Sequence, residues 1–527
     1  MKHVELYDTT LRDGMQGEGL SLSAEEKLRV AQRLDDLGMG FVEAGFPSSN
    51  PKEEELFALL RANPLHHSAV AAFGMTRRRD TEPGDDPALR VVADSGAPVA
   101  TIVGKTWALH LEKVVKVSRS ENLEMIEDSV KFLVSGGQRV VYDAEHFFDG
   151  WRDDRDYALE CISAAVSGGA EVVALCDTNG ASLPDQVAEA VADVVASVSG
   201  QTKVGIHCHN DLECGVANSL AAVKAGAEHV QGTMNGIGER CGNANLVSIA
   251  ANLELKLGYR CLPEGHIQQL TEASHFVDEI CNRTPQPHQA WVGRSAFAHK
   301  GGMHVAGVME DPSTFEHIDP ESVGNKRNLL VGELSGKGTV KARADKLGIV
   351  LDDETATRLV EHIKEKEHEG YHYEAADASL ELLLRRDAGA FEPLFDLESW
   401  RVIVEKAAGG GVQTEATVKV FVNGERHVST AEGNGPVNAL DRALRGAIGR
   451  VHPELADIDL VNFKVRILDE NRGTHAVTRV LLDATDGDEV WGTTGVSPNV
   501  IEASWEALVD SLEYGMQPVL TQRNSGS

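Results

Sequence analysis

Residues 3–14 read HVELYDTTLRDG: a β-branched and apolar run over 3–8 passes directly into the polar tail Asp8-Thr9-Thr10-Leu11-Arg12-Asp13-Gly14. Such a strand buries its middle and presents chemistry at its C-terminal end. The stretch that follows, Ser23–Leu37, sets Leu28, Ala31, Leu34 and Leu37 at helical spacing. This strand-then-helix phrase recurs, with candidate strands at 3–8, 40–45, 68–73, 98–104, 139–144, 171–176, 203–208 and 228–233. Amphipathic stretches such as Asn122–Val134 lie between them, and a helix near Ala244–Leu257 closes the series. Eight such units predict an α/β fold of the (β/α)8, TIM-barrel type. A doubly wound sheet is the alternative, but no GxGxxG follows the first strand.

Beyond the barrel the alternation is lost. Residues 285–341 are loop-rich and dense in Gly and His, while Leu351–Lys366 and Ala375–Arg386 read as helices. Strand text resumes at Glu415–Val422, where Ala416, Val418, Val420 and Val422 share one face before an Asn423-Gly424 turn. It continues at 427–430, and Pro436 opens a helix through Ile448. Strands near 460–468, 476–484 and 489–494, then a helix from Pro498 through Leu512, repeat that order. The expected organisation is a catalytic barrel over 1–270, helical linker subdomains over 271–395, and a C-terminal α+β domain over 396–520. This last domain is expected to be a duplicated strand-strand-strand-helix unit.

Composition narrows the partners. The chain has 527 residues, with 82 Asp and Glu against 50 Lys and Arg, a formal net charge of −32. That field repels nucleic acid and anionic membranes, so neither is expected as a partner. No apolar run reaches the roughly 18–20 residues of a membrane helix, and MKHVELYDTT reads as a strand from the start. The 7 cysteines are scattered without a CxxC pair, which fits reduced thiols in a cytoplasm.

In a (β/α)8 barrel the active groups lie at the C-terminal ends of the strands. Here Glu43-Ala44-Gly45 ends the second strand, Lys105 the fourth, Glu145-His146 the fifth and Asp177-Thr178-Asn179 the sixth. The seventh ends in His207-Cys208-His209-Asn210-Asp211, and the eighth runs into 235–243, NGIGERCGN. Residues i and i+2 of a strand face one side, so His207 and His209 both point into the mouth, with Cys208 turned away. With Asp13 they make a two-histidine, one-carboxylate set, a usual choice for a divalent metal with open positions. An HxH alone is more often a pair of ordinary histidines; its place at a strand end reverses those odds. Arg12 reads equally well as a neutraliser of Asp8 or Glu43 or as a substrate contact. Glu145 and Thr178 also read as loop polar groups, Lys105 as a solvated lysine, and the glycines of 236–242 as turn formers.

Four motifs in order, DTTLRDG (8–14), VEAGFP (42–47), HCHND (207–211) and GIGERCGNANL (236–246), resemble the metal-dependent Claisen-condensing enzymes, the isopropylmalate, homocitrate and citramalate synthases. GNGPVNALDRAL (433–444) is similar to the amino-acid-binding regulatory domain of the isopropylmalate and citramalate enzymes. DGMQGEGLSLS (13–23), VGKTWALH (103–110) and YDAEHFFDG (142–150) look most like the citramalate-forming branch. The resemblance implies Asp13, His207, His209 and Asn243 as metal ligands, for Mn, Mg, Co or Zn. It implies Arg12, Gln16, Glu43 and Thr178 as substrate contacts, with Arg12, Glu145 and His304 as catalytic groups. His304 would reach the partner subunit's site. Met15 departs from relatives that carry Glu after the glycine, and 323–330 holds no counterpart of the tyrosine that assists the histidine in isopropylmalate synthases.

The implied activity is a cytoplasmic, homodimeric acyltransferase joining acetyl-CoA to pyruvate, the first step of a threonine-independent route to isoleucine, with isoleucine as allosteric inhibitor. Isopropylmalate synthase, taking 2-oxoisovalerate, is the alternative, then homocitrate synthase. A catalytically silent amino-acid sensor is the alternative of another class.

Overall fold

Alternation along each strand decides what fills the barrel. The computed structural model describes residues 2–525, except 48, 334, 407, 470–472 and 474. Strands β1 (Glu5–Asp8), β2 (Phe41–Gly45), β3 (Ala69–Met75), β4 (Val99–Lys105), β5 (Arg139–Glu145), β6 (Val172–Asp177), β7 (Lys203–Cys208) and β8 (His229–Gly232) form a closed parallel barrel. Tyr7 of β1 registers with Phe41 of β2 on one side and with Gln231 of β8 on the other, so no edge is left. The expected barrel is the observed one, and closure removes the doubly wound alternative.

One longer helix follows each strand: α1 (Ala24–Leu37), α2 (Pro51–Ala62), α3 (Pro87–Ala93), α4 (Arg119–Ser135), α5 (Arg155–Gly168), α6 (Pro184–Val198), α7 (Gly215–Ala225) and α8 (Leu246–Leu255). Local chemistry starts them. The Ser23 hydroxyl accepts from the Glu26 N–H, and the Glu26 carboxylate accepts from the Ser23 N–H. Pro51, Pro87 and Pro184 sit in first turns, where their missing N–H costs nothing.

Inside the barrel, Tyr7, Phe41, Val99, Val141, Val172 and Ala174 form an apolar plug. Two residues on, facing the same way, come Glu43, Thr101 and Asp143, all buried. Tyr7 bridges the layers, its ring 5.6 Å from Phe41 and its hydroxyl donating to Glu43 Oε1 at 2.8 Å. The interior therefore turns from apolar to polar toward the strands' C-terminal ends.

By contact density the chain forms two compact units, Met1–Phe297 with Ile318–Arg327, and Ala298–His317 with Asn328–Ser527. The first unit holds the barrel and α9 (Leu270–Ile280). The second holds α10 (Gly302–Glu310), α11 (Lys337–Lys346), α12 (Asp353–Glu369) and α13 (Asp377–Asp387), then two three-stranded antiparallel sheets. The first sheet is β9 (Asp396–Lys406), β10 (Val412–Val422) and β11 (Glu425–Gly433), followed by α14 (Pro436–Ile448). The second is β12 (Asp459–Ile467), β13 (Thr478–Thr485) and β14 (Val490–Ser497), followed by α15 (Val500–Ser525). Ala416, Val418 and Val420 of one sheet and Val480, Leu482 and Ala484 of the other share a core with Leu440, Leu444, Leu508 and Leu512 of α14 and α15. The duplication is thus structural, with β9 supplying a strand that the sequence pattern does not reveal. A separate apolar cluster around Val340, Leu359, Ile363, Leu380 and Leu384 holds α11, α12 and α13 together.

Candidate active site

The turn after β1 is pinned before it does anything else. Thr9 N–H donates to the Gly232 carbonyl at 2.9 Å, Gly14 N–H to the Thr9 carbonyl at 3.0 Å, and Asp13 N–H to Thr9 Oγ1 at 3.2 Å. Thr9 Oγ1 in turn donates to Glu43 Oε2. These bonds give Arg12 and Asp13 different main partners, while Arg12 Nη1 stays 3.6 Å from Asp13 Oδ1. Arg12 Nε donates to Glu43 Oε2 at 2.7 Å, and its guanidinium lies 4.0 Å from the centroid of the Phe73 ring. Asp13 turns to the histidines.

Asp13 Oδ2 lies 3.2 Å from His207 Nε2 and 3.8 Å from His209 Nε2. One donor atom from each of the three residues falls within 4.8 Å of the others, and all three side chains are buried. Burial works against the Asp13 carboxylate, but Arg12 and the two histidines outweigh it and hold its pKa well below the ordinary range. Burial and the neighbouring His207 push His209 down to about 4, which leaves a neutral ring with a free lone pair. Burial also opposes a charged His207, but the contact with Asp13 raises its pKa overall.

The supporting shell comes from β5 and β8. Gln231 Oε1 accepts from His207 Nδ1 at 2.9 Å, and Gln231 Nε2 donates to Asp143 Oδ1 at 2.8 Å. A proton on Nδ1 leaves Nε2 free to coordinate. Burial, reinforced by the nearby Glu43 charge, raises Asp143 to about 7. Asn243 forms a bridge with His209 across the loop that follows β8. Its Nδ2 donates to the Ile237 carbonyl at 3.4 Å, while its Oδ1 is buried without a hydrogen-bond partner. A buried, orphaned amide oxygen on a residue bridged to His209 is the kind of group a hard to borderline divalent cation would satisfy.

The glycines of that loop have a steric task. A Cβ on Gly238 would stand 2.2 Å from Asn243 Nδ2, and one on Gly242, at φ +91°, 2.0 Å from the Gly236 carbonyl oxygen. The turn-forming reading of these residues accounts for them.

The structure brings together Arg12, Asp13, Glu43, His207, His209 and Asn243. Glu145 ends β5 in an ion pair with Lys105, so Lys105 is a partner of Glu145 rather than a solvated lysine. Thr178 Oγ1 accepts from the His146 N–H at 2.9 Å, and the Thr178 carbonyl accepts from Arg240 at 2.7 Å. Gln16 is exposed, at the end of the short 3-10 turn Gly14–Gln16. His304 belongs to the second unit, where its ring stacks on Phe315 with centroids 4.2 Å apart. Cys208 is buried in the core as expected. Gln231, Asp143 and Phe73 are the functional neighbours that the sequence did not announce.

Fold and site together define a class: a (β/α)8 protein with an aspartate and two histidines close enough to share a divalent cation at the barrel mouth. Comparison with known proteins narrows it. The HMGL-like family model matches residues 3–277, the homocitrate synthase post-HMGL domain-like model 291–370, and the LeuA allosteric (dimerisation) domain model 374–516. The (R)-citramalate synthase of Streptomyces coelicolor is 49% identical over 97% of this chain and 96% of its own length. That of Aquifex aeolicus is 46% identical over 97% of each chain, and that of Sulfolobus acidocaldarius 43% identical over 98% of this chain and 97% of its own. The chain belongs to the HMGL-like family, in its (R)-citramalate synthase branch.

Proposed function

We infer that the chain condenses acetyl-CoA with pyruvate and water, giving (R)-citramalate and CoA. It opens a threonine-independent route to isoleucine. The observation that carries this reading is the Asp13–His207–His209 set beside the Arg12–Glu43 pair, on a barrel kin to citramalate synthases along almost its whole length. Asp13, His207, His209 and Asn243 would hold a divalent cation, Mn, Mg, Co or Zn. That cation, when bound, supplies Lewis-acid polarisation of the 2-oxoacid's ketone.

The rest is the work of side chains. Glu43 fixes the Arg12 guanidinium on one side and Phe73 fixes it on the other, so its free N–H groups are oriented before the ketone oxygen gains charge. Thr178 is the proposed contact of the pyruvate carboxylate, with Gln16 and Glu43 as the other proposed substrate contacts beside Arg12. His304 is the proposed base for the acetyl methyl proton, donated by a second subunit, because a histidine's ordinary pKa lies near neutral. Glu145, neutralised by Lys105, is proposed to assist it. Water then cleaves the thioester of the condensed product.

The organisation proposed for this activity is a catalytic barrel over 1–270, a linker over 271–395 and a regulatory domain over 396–520. The enzyme is proposed to be cytoplasmic and dimeric, with isoleucine as feedback inhibitor bound by the C-terminal domain. Among the described residues, no helix is long and apolar enough to cross a membrane. The reading is tested by acetyl-CoA-dependent thiol release with pyruvate, 2-oxobutyrate, 2-oxoisovalerate and 2-oxoglutarate, with isoleucine or leucine added in turn. Pyruvate giving the highest kcat/KM and isoleucine inhibiting support it. A higher kcat/KM with 2-oxoisovalerate refutes the substrate, and inhibition by leucine alone refutes the effector.

A further inference from the structure

Two stretches, VGKTWALH (103–110) and YDAEHFFDG (142–150), carry His110 and His146, which have no part in the condensation as described. His110 follows β4, His146 and Asp149 follow β5, and Thr178 and Asn179 follow β6. All leave the C-terminal ends of their strands, the functional face of such a barrel. The proposed reaction also contains a proton transfer without a group assigned to it. The water that cleaves the thioester must lose a proton as it attacks.

Three features fit His146 to that task. First, the ring is oriented. Its Nδ1 lies 3.1 Å from Asp149 Oδ2, and Asp149 is itself held by Arg152 Nη2 at 2.8 Å and Asn179 Nδ2 at 3.0 Å. Burial opposes a charged Asp149, but His146 and Arg152 outweigh it and hold its pKa below the ordinary range. An ionised carboxylate on Nδ1 keeps a proton there and leaves the Nε2 lone pair free. Second, that nitrogen is available. Among the described residues Nε2 has no hydrogen-bond partner, and the side chain keeps 10% exposure, so water reaches the ring. Third, a proton arriving here has one destination. The His110 ring stands 4.2 Å from His146 and stacks on Trp107 at 5.4 Å. Burial, then His146 and Lys105, hold the His110 pKa below the ordinary value despite Glu145 and Asp149, so His146 is the one that charges.

The backbone sets this residue among the groups already assigned. His146 adopts φ +55° and ψ 34°, a left-handed backbone uncommon outside glycine. Its N–H donates to Thr178 Oγ1 at 2.9 Å, and Glu145 precedes it in the chain.

We propose that His146, oriented by Asp149, is the general base of the hydrolytic step. Nε2 takes one proton of the water as the water oxygen bonds to the thioester carbon. The C–S bond then breaks, CoA leaves as the thiolate, and the imidazolium returns the proton to sulfur. The new carboxylic acid loses its own proton to solvent. The assignment rests on the condensation reading above and adds to it the group that ends the cycle.

The test supplies the condensed thioester, citramalyl-CoA, with Mn(II) to the full-length chain and to His146→Asn and Asp149→Asn variants. Asparagine tolerates the left-handed backbone at 146. Two product pairs are counted: citramalate with CoA from hydrolysis, and pyruvate with acetyl-CoA from reversal of the condensation. In His146→Asn hydrolysis should fall about 100-fold or more, the worth of a general base, while reversal holds. Asp149→Asn should move the ratio in the same direction, because Nδ1 loses its anionic partner. A parental ratio in His146→Asn, whether both rates hold or both fall, overturns the assignment and leaves the condensation standing. If that variant does not fold, the ratio in Asp149→Asn decides in the same way. A parent that reverses the thioester without hydrolysing it also overturns the assignment alone. A parent that yields neither pair sinks the condensation reading and the assignment together.

Discussion

At the scale of the residue, the site depends on side chains that hold other side chains in place. Gln231 sets the His207 tautomer by accepting from Nδ1 and anchors itself on Asp143. Gln231→Leu should therefore weaken Mn(II) binding by about 10–100-fold, as loss of outer-shell partners does elsewhere. Equilibrium dialysis measures this directly, and parent-like affinity would show that the ring is oriented by other contacts. Glu43 has a different task. It is fully buried and accepts from Tyr7, Thr9 and Arg12. Glu43→Leu strands the Arg12 guanidinium in the interior and should cost about 3–5 kcal/mol, read from urea unfolding of the barrel. The polar strand ends, Asp13, His207 and His209, were legible because polar groups interrupt strand text at one end of each unit. Asp143 and Gln231 were not, since each sits within a run that reads as plain strand. A strand's inward face becomes distinguishable from its outward face only once the barrel closes.

At the scale of the element, the loop between β8 and α8 is the most constrained. Its glycines let Asn243 come alongside His209, and Gly238→Ala would drive a Cβ into the Asn243 amide. The expected result is a folded chain, destabilised by about 1–3 kcal/mol, with most of its metal affinity gone. Circular dichroism and Mn(II) titration on the same sample decide between this and a passive turn. Helix starts were legible where a proline or serine stands at the first turn, as at Pro436 for α14. Strand β9 was hidden because Leu397, Trp400, Val402, Ile403 and Val404 do not alternate cleanly, and Leu397, Ile403 and Val404 remain exposed. Helix α15 runs beyond the expected Leu512 and through Pro518, since packing of Met516 and Leu520 into the core outlasts the local preference to stop.

At the scale of the whole molecule, a half-buried charge cluster ties two helices of the second unit together. Arg386 of α13 contacts Asp510 at 2.9 Å and Glu513 at 2.7 Å on α15, and Ser379 donates to Asp510 at 2.7 Å. Burial raises Glu513 to about 7 despite Arg386, so the folded state binds its proton more tightly than the unfolded chain does. The stability due to this group is present at low pH and is lost as pH rises from about 4.5 to about 7. Glu513→Gln removes that dependence. Relative to the parent, the variant should gain roughly 1–3 kcal/mol between pH 5 and pH 8, seen in denaturation of the second unit. No gain would mean that Arg386 compensates the ionised carboxylate fully. The same cluster forbids a clean cut after residue 395, because the remaining α13 would carry Arg386 without its carboxylates.

The two parts of the chain come back together in the choice of acceptor, since the proposed effector presupposes the proposed product. The most direct measurement supplies acetyl-CoA with pyruvate and 2-oxoisovalerate at equal concentration and weighs the two products by mass spectrometry. Their ratio is the ratio of kcat/KM values and is independent of enzyme concentration. Citramalate in large excess is the predicted result; isopropylmalate in excess would contradict it.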